Sequence, residues 1–198
     1  MTMNANFNMA PIAKTTTPLI ALYCGSRIGN HPIYQQQAIA LAHTLAINGF
    51  GAVYGGASIG LMGEVANTVM QAGGEVVGVI PEFMLDYEIA NHDVTELHVV
   101  ESMHVRKAMM ADRASAFVAL PGGLGTFEEI LEIATWAQLN RHDKPMILFN
   151  VNGFYRHLIA QMDHAVEEGF LPATHREKIL VCDDIEHVLT VLKPIQSV

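Results

Sequence analysis

The chain has 198 residues, enough for one compact domain with about 70% of its unfolded surface buried and little room for a second. It is 51% hydrophobic and only 16% charged, which excludes intrinsic disorder. Eleven basic against twenty acidic residues leave a net charge of −9, so there is no basic footprint for nucleic acid or an anionic membrane, and any bound phosphate must be held locally.

Residues 1 to 18 carry a lone Lys14 and no apolar stretch, and read as a loose tail rather than a signal peptide, ahead of a domain over 19 to 198. Residues 28 to 63 hold no Asp, Glu, Lys or Arg, yet three glutamines, His43, Asn48 and seven glycines keep every apolar run short of the ~20 residues of a membrane span. Cys24 and Cys182 have no CxxC neighbour and no zinc-spaced histidine, which fits a reducing cytoplasm.

Short β-branched or apolar runs recur, each followed by glycine and a helical pattern, the signature of parallel βαβ units. The pattern predicts strands near Leu19 to Cys24, Ala52 to Tyr54, Glu75 to Ile80, Phe117 to Leu120, Pro145 to Phe149 and Ile179 to Val181, with a short one at Leu97 to Val100. In the first helix Tyr34, Ala38, Leu41, Ala42, Leu45 and Ala46 share a face, and Asn48-Gly49 stops it. Further helices are expected over Gly60 to Gln71, Met103 to Arg113, Thr126 to Leu139, Phe154 to Glu168 and Asp184 to Leu192. These elements make an α/β, Rossmann-like, doubly wound parallel sheet in a single domain, whose ligands bind beyond the strand C-terminal ends.

Three strand exits are glycine-rich: Cys24-Gly25-Ser26-Arg27, Gly55-Gly56-Ala57-Ser58-Ile59-Gly60, and Pro121-Gly122-Gly123-Leu124-Gly125-Thr126. Glycine lets backbone approach an anion, and the helix that follows offers open N–H groups, so the site is expected to hold a phosphate on Ser26, Gly55, Gly56, Gly122, Gly123, Gly125 and Thr126. In the third exit Thr126 and Glu129 have capping-box spacing, while Glu128, Glu129 and Glu132 gather carboxylates where a sugar would follow the phosphate. On residue type and spacing alone, capping and catalysis both stand for Glu129. Arg106-Lys107 is the only adjacent basic pair; it is either a solvated helix face or the cations of the anion site.

Gly56-Ala57-Ser58-Ile59-Gly60 matches the hydrolase nucleophile elbow, but only two strands precede Ser58 and no Asp and His partners are marked; a glycine loop with Ser58 as N-cap fits better. A nicotinamide fingerprint fails because Glu128 stands at its third glycine, and no glycine loop leads into a Walker lysine. The ten histidines form no metal motif, and the eleven methionines read as core filler.

Pro121-Gly122-Gly123-Leu124-Gly125-Thr126-Phe127-Glu128-Glu129 resembles the PGGxGTxxE motif of the LONELY GUY family of cytokinin riboside 5′-monophosphate phosphoribohydrolases. Tyr23 to Ser26, Tyr54 to Gly63, Met103 to Ala108, Thr135 to Leu139 and His142 to Pro145 look like further family segments in family order. Ala57, Leu124 and Val105 depart from common family residues. The resemblance implies a Rossmann-like homodimer or larger homo-oligomer that cleaves the N-glycosidic bond of a nucleoside 5′-monophosphate. It implies a catalytic pair at Arg106 and Glu129, and ligand contacts at Glu88, Lys107, Gly123, Leu124, Gly125, Thr126, Phe127, Glu128 and Thr135. No metal or organic cofactor is expected. The name lysine decarboxylase often given to relatives finds no pyridoxal-phosphate context around any of the five lysines. Two other readings share the fold: a general nucleoside 5′-monophosphate nucleosidase, and a nucleotide-binding protein without catalysis.

Overall fold

A computed structural model of the chain describes residues 17–85 and 89–197. Seven parallel strands form one sheet: β1 (Leu19–Tyr23), β2 (Gly51–Tyr54), β3 (Val76–Pro81), β4 (Glu96–Val100), β5 (Ala114–Ala119), β6 (Met146–Phe149) and β7 (Ile179–Cys182), in the spatial order β4-β3-β2-β1-β5-β6-β7. Among the described residues the α-helices are α1 (Pro32–Ile47), α2 (Gly60–Gln71), α3 (Met103–Arg113), α4 (Leu124–Gln138), α5 (Arg156–Glu167), α6 (Ala173–Arg176) and α7 (Ile185–Leu192). All seven expected strands and all six expected helices are present; the four-residue α6 is additional.

Alternation along the strands feeds two cores. Ile20 and Leu22 of β1, with Ala116 and Val118 of β5, pack toward α1, α2 and α7. Leu19, Ala21 and Tyr23, with Phe117 and Ala119, pack toward α3, α4 and α5. The α1 face is the one expected, with Ala38, Leu41, Ala42 and Leu45 fully buried.

The strand order reverses at β1, which pairs with β2 on one side (Ile20 opposite Ala52) and β5 on the other (Ile20 opposite Ala116). The chain therefore leaves β1 and β5 on opposite faces and opens a crevice between their exits. Two backbone bonds lock the crevice floor: Leu120 N–H to Tyr23 O (2.9 Å) and Gly25 N–H to Pro121 O (3.2 Å).

Three local expectations change. Helix α4 starts at Leu124, with Gly123 as its N-cap, two residues before the expected start. Thr126 is thus inside the first turn, and the capping box with Glu129 does not form. Ser58 is not an N-cap either: Ile59 holds that place, and the Ser58 backbone N–H and Oγ both donate to Ile89 O (2.8 and 2.7 Å). Strand β5 begins at Ala114, directly after α3, rather than at Phe117.

Candidate active site

The switch-point crevice holds two adjoining cavities. The smaller, about 250 Å³, is lined by Cys24, Gly25, Ser26 and Gly55 from the first two strand exits, Arg106 from α3, and residues 123 to 126, 128 and 129 from the fifth exit and α4. The larger, about 630 Å³, opens on the other side of the same glycine rim.

The rim is built by close approach. A Cβ on Gly122 would lie 2.1 Å from Thr126 Oγ1 and 3.0 Å from Gly25 N, so only glycine lets the β5 exit fold under α4 and against the β1 exit. Thr126 is 3% exposed; its side chain supports the turn from below. Gly60, at φ +62°, brings the start of α2 against the Ser26–Arg27 backbone, where a Cβ would meet Ser26 C at 2.2 Å. The first helical bond of α4 is Phe127 N–H to Gly123 O (3.1 Å). Helix geometry then leaves the N–H groups of Leu124, Gly125 and Thr126 without intrahelical acceptors, beside the smaller cavity. Helices α1, α2, α3 and α4 carry no acidic residue in the first turn, whereas α7 carries Glu186. Helix starts usually attract carboxylates; the start of α4, beside the smaller cavity, leaves the positive end of its dipole open to an anion.

Arg106 is carried by α3, whose start is capped by Ser102 Oγ accepting from Val105 N–H (3.2 Å). Far from lying on a solvated face, it is 4% exposed. Its Nη2 donates to Gly55 O at 2.9 Å, and Nη1 rests against the sulfurs of Met84 and Met103 at 3.6 and 3.7 Å. A Cβ on Gly55 would sit 2.0 Å from Nη2, so the glycine in β2's exit makes room for the guanidinium. A permanent cation is thereby fixed in the wall of the cavity that also holds Glu129. The α4 carboxylates set the local potential: burial first, and then Glu129, Glu132 and Glu128, push the Tyr23 phenol far above its ordinary range.

Lys107, one residue along α3, turns the other way, onto Glu128 and onto Glu132 (3.0 Å) of α4. Its burial opposes the charged form, but the two carboxylates outweigh that and raise its pKa. The pair read as two site cations is thus one cavity cation and one clamp between α3 and α4.

Of the expected contacts, Arg106, Glu129, Ser26, Gly55, Gly123, Leu124, Gly125, Thr126 and Glu128 line the smaller cavity, and Gly122 lines the larger. Four line neither. Gly56, at φ +79°, turns the chain against β3; Phe127 packs between Phe154 and Tyr155 (6.2 and 6.1 Å between ring centroids); Thr135 is exposed and donates to Leu131 O; and Lys107 is clamped. Glu88, with the rest of Asp86 to Glu88, lies outside the described residues, as do residues 1 to 16 of the expected tail. Met62, Met84 and Met103, expected as core filler, line the smaller cavity. Tyr155, 1% exposed and outside the expected contacts, donates its hydroxyl to Leu120 O (2.6 Å) and braces the β5 exit from the other core. Met103 stands one turn before Arg106 on α3, a local spacing that could have marked it; Met62, Met84 and Tyr155 carry no such signal, because their neighbours come from other elements.

A family model described as possible lysine decarboxylase matches residues 62–192. A cytokinin riboside 5′-monophosphate phosphoribohydrolase of Rhodococcoides fascians is 44% identical over 91% of this chain and 92% of its own. One from Arabidopsis thaliana is 48% identical over 81% of this chain and 75% of its own. Among solved structures, the Moco carrier protein of Chlamydomonas reinhardtii matches with a TM-score of 0.68 at 21% identity, over 91% of this chain and 98% of that one, a likeness of fold alone. With the glycine rim, Arg106 and Glu129 in one crevice, and with relatives of this identity along nearly the whole described chain, the protein belongs to the LONELY GUY family of cytokinin riboside 5′-monophosphate phosphoribohydrolases.

Proposed function

We propose that the protein hydrolyses the N-glycosidic bond of cytokinin riboside 5′-monophosphates, and of adenosine 5′-monophosphate, to a free adenine-type base and ribose 5-phosphate. The observation that carries this reading is the meeting of Arg106 and Glu129, from different helices, in one cavity beside the open N–H groups of α4. The 5′-phosphate sits on that helix start, and its binding energy holds the sugar with C1′ toward Glu129. As the C1′–N bond breaks, its electron pair leaves with the base and positive charge develops on the ribose ring. The Glu129 carboxylate stabilises that charge and takes the proton of the attacking water as its oxygen bonds to C1′, and the departing base nitrogen takes up a proton, so that neutral base and ribose 5-phosphate are released. Arg106 offsets the phosphate and sugar oxygens. The chemistry takes no electron, so no redox cofactor enters it.

Met62, Met84 and Met103 favour a second reading of base choice. Three flexible thioethers make an adaptable apolar wall, which suits a nucleosidase that tolerates several bases rather than one. Leu124 and Leu131 on α4 and Leu139 at its C-cap stand 85%, 39% and 64% exposed and support a homo-oligomer; the cytoplasmic setting rests on the two free cysteines. The deciding experiment incubates the protein with adenosine monophosphate, isopentenyladenosine monophosphate and unphosphorylated isopentenyladenosine, and separates the released bases. The two monophosphates are expected to yield base, and the riboside to be a very poor substrate. Equal kcat/KM with and without the phosphate refutes the phosphate anchor; no base from any of them leaves a binding protein without catalysis.

A further inference from the structure

The larger cavity has no part in the hydrolysis described above. At about 630 Å³ it is of ordinary size for a small-molecule site, and it shares Gly25, Ser26, Gly123 and Leu124 with the smaller one. Glu129 and Arg106 line only the smaller cavity, so a nucleotide with its sugar there presents the far side of its 5′-phosphate to the larger.

The walls of the two compartments differ in kind. The smaller carries Glu128 and Glu129; among the described residues the larger is lined by no carboxylate, and its one charged wall residue is Arg27. Beyond Arg27 the surface turns apolar and aromatic, with Ile28, Leu61, Tyr34 and Phe154. Tyr34 and Phe154 meet edge to face at 5.8 Å, a rigid arrangement that leaves ring surface for a planar guest. A cation followed by an aromatic wall, continuing outward from a phosphate cradle, matches the order of groups in a pyrophosphate-linked dinucleotide: second phosphate, then second nucleoside. The compartment also lies where strand order reverses, the place at which α/β sheets accommodate ligands of that length.

We propose that the larger cavity is a binding site for the outer half of a pyrophosphate-linked dinucleotide, whose inner half occupies the hydrolytic cavity. The second phosphate pairs with Arg27, and the second nucleoside lies on the wall formed by Ile28, Tyr34, Leu61 and Phe154. The proposal rests on the phosphate seat given above, but not on turnover, and it adds no chemical step.

The test is calorimetric binding of adenosine monophosphate, adenosine diphosphate and diadenosine diphosphate to the full chain, with base release from the monophosphate followed in parallel. Diadenosine diphosphate is expected to bind at least about tenfold more tightly than adenosine diphosphate, the scale of one base–aromatic contact. Ile28→Glu places a carboxylate in the compartment at a half-exposed position that the fold does not depend on. It is expected to erase that advantage while monophosphate affinity and turnover stay within about twofold. Equal affinity of the two diphosphates overturns the proposal. So does an Ile28→Glu variant that weakens the monophosphate as much as the dinucleotide, because the compartment then holds the substrate's own base. A protein that binds the dinucleotide tightly, and loses that advantage in Ile28→Glu, but releases no base refutes the hydrolytic reading and leaves this one standing.

Discussion

Gly122 and Gly125 stand three residues apart in one motif, and the structure gives them opposite reasons to be glycine. Gly125 is the second residue of α4, and a Cβ there meets nothing within 4 Å. Replacing a helical glycine by alanine removes backbone freedom from the unfolded chain and stabilises by about 0.5–1 kcal/mol. For a chain of this length that raises Tm by about 1–4 °C. The same Cβ enters the space beside the α4 N–H groups, where a displacement of the phosphate of about 1 Å costs about 100-fold in kcat/KM. Gly125→Ala is therefore expected to be more stable and nearly inactive. At Gly122 the added Cβ meets Thr126 Oγ1 at 2.1 Å, Thr126 Cβ at 2.7 Å and Gly25 N at 3.0 Å, all in buried or backbone positions that cannot swing aside. Overpacking of this kind costs about 1–3 kcal/mol, so Gly122→Ala is expected to lower Tm by about 2–12 °C and activity with it. Thermal unfolding followed by circular dichroism, with chromatography of the released base, reads both quantities. A Gly125→Ala variant with raised Tm and unchanged kcat/KM refutes the reasoning, because the bare helix start is then not where the phosphate sits.

Glu129→Gln is expected to keep the fold and lower turnover at least about 100-fold, since the amide can neither take the water's proton nor face a developing cation; near-normal turnover would move the catalytic carboxylate elsewhere. Gly55→Ala should behave like a mild Arg106→Ala, because its Cβ displaces Nη2 from Gly55 O; both should raise KM and lower kcat, and titration with ribose 5-phosphate should show the weakened anion binding. On the far side of the sheet, the hydrogen bond from His98, opposed by partial burial and joined by Arg113, lowers the Glu96 pKa. Its contribution to stability is complete above the ordinary carboxylate range near pH 4 and is lost as pH falls through the depressed folded value. Acid unfolding of Glu96→Gln should lack that part of the slope, and an unchanged acid limb would show that the contact adds nothing.

The chain's own periodicities decided the framework. Strands of a parallel sheet covered on both faces read as short apolar runs, and glycine follows β1, β2 and β5 closely, so the strands were legible, including the edge strand β4, which has no glycine at either end. The α1 face was legible because the spacing of Ala38, Leu41, Ala42 and Leu45 is a local property. The glycines also gave away the crevice, since close approach of backbone has few other solutions. What separates Arg106 from Lys107 is not local. Adjacent helix positions point about 100° apart, and only the placement of α3 against β2 and α4 sends one guanidinium under Gly55 and the neighbouring ammonium to Glu128 and Glu132. The role of Glu129 was equally undecidable from spacing: a capping box and a catalytic carboxylate share the same three-residue step. The helix begins at Leu124 because Gly123 turns the chain there and Thr126 is needed beneath Gly122 as packing. Likewise Met84 and Tyr155 reach the site through space, 22 and 35 residues from Arg106 and Leu120; their distances to those residues (3.6 and 2.6 Å) exist only once the sheet has brought the strand exits together, whereas Met103 is Arg106's neighbour one turn back on α3.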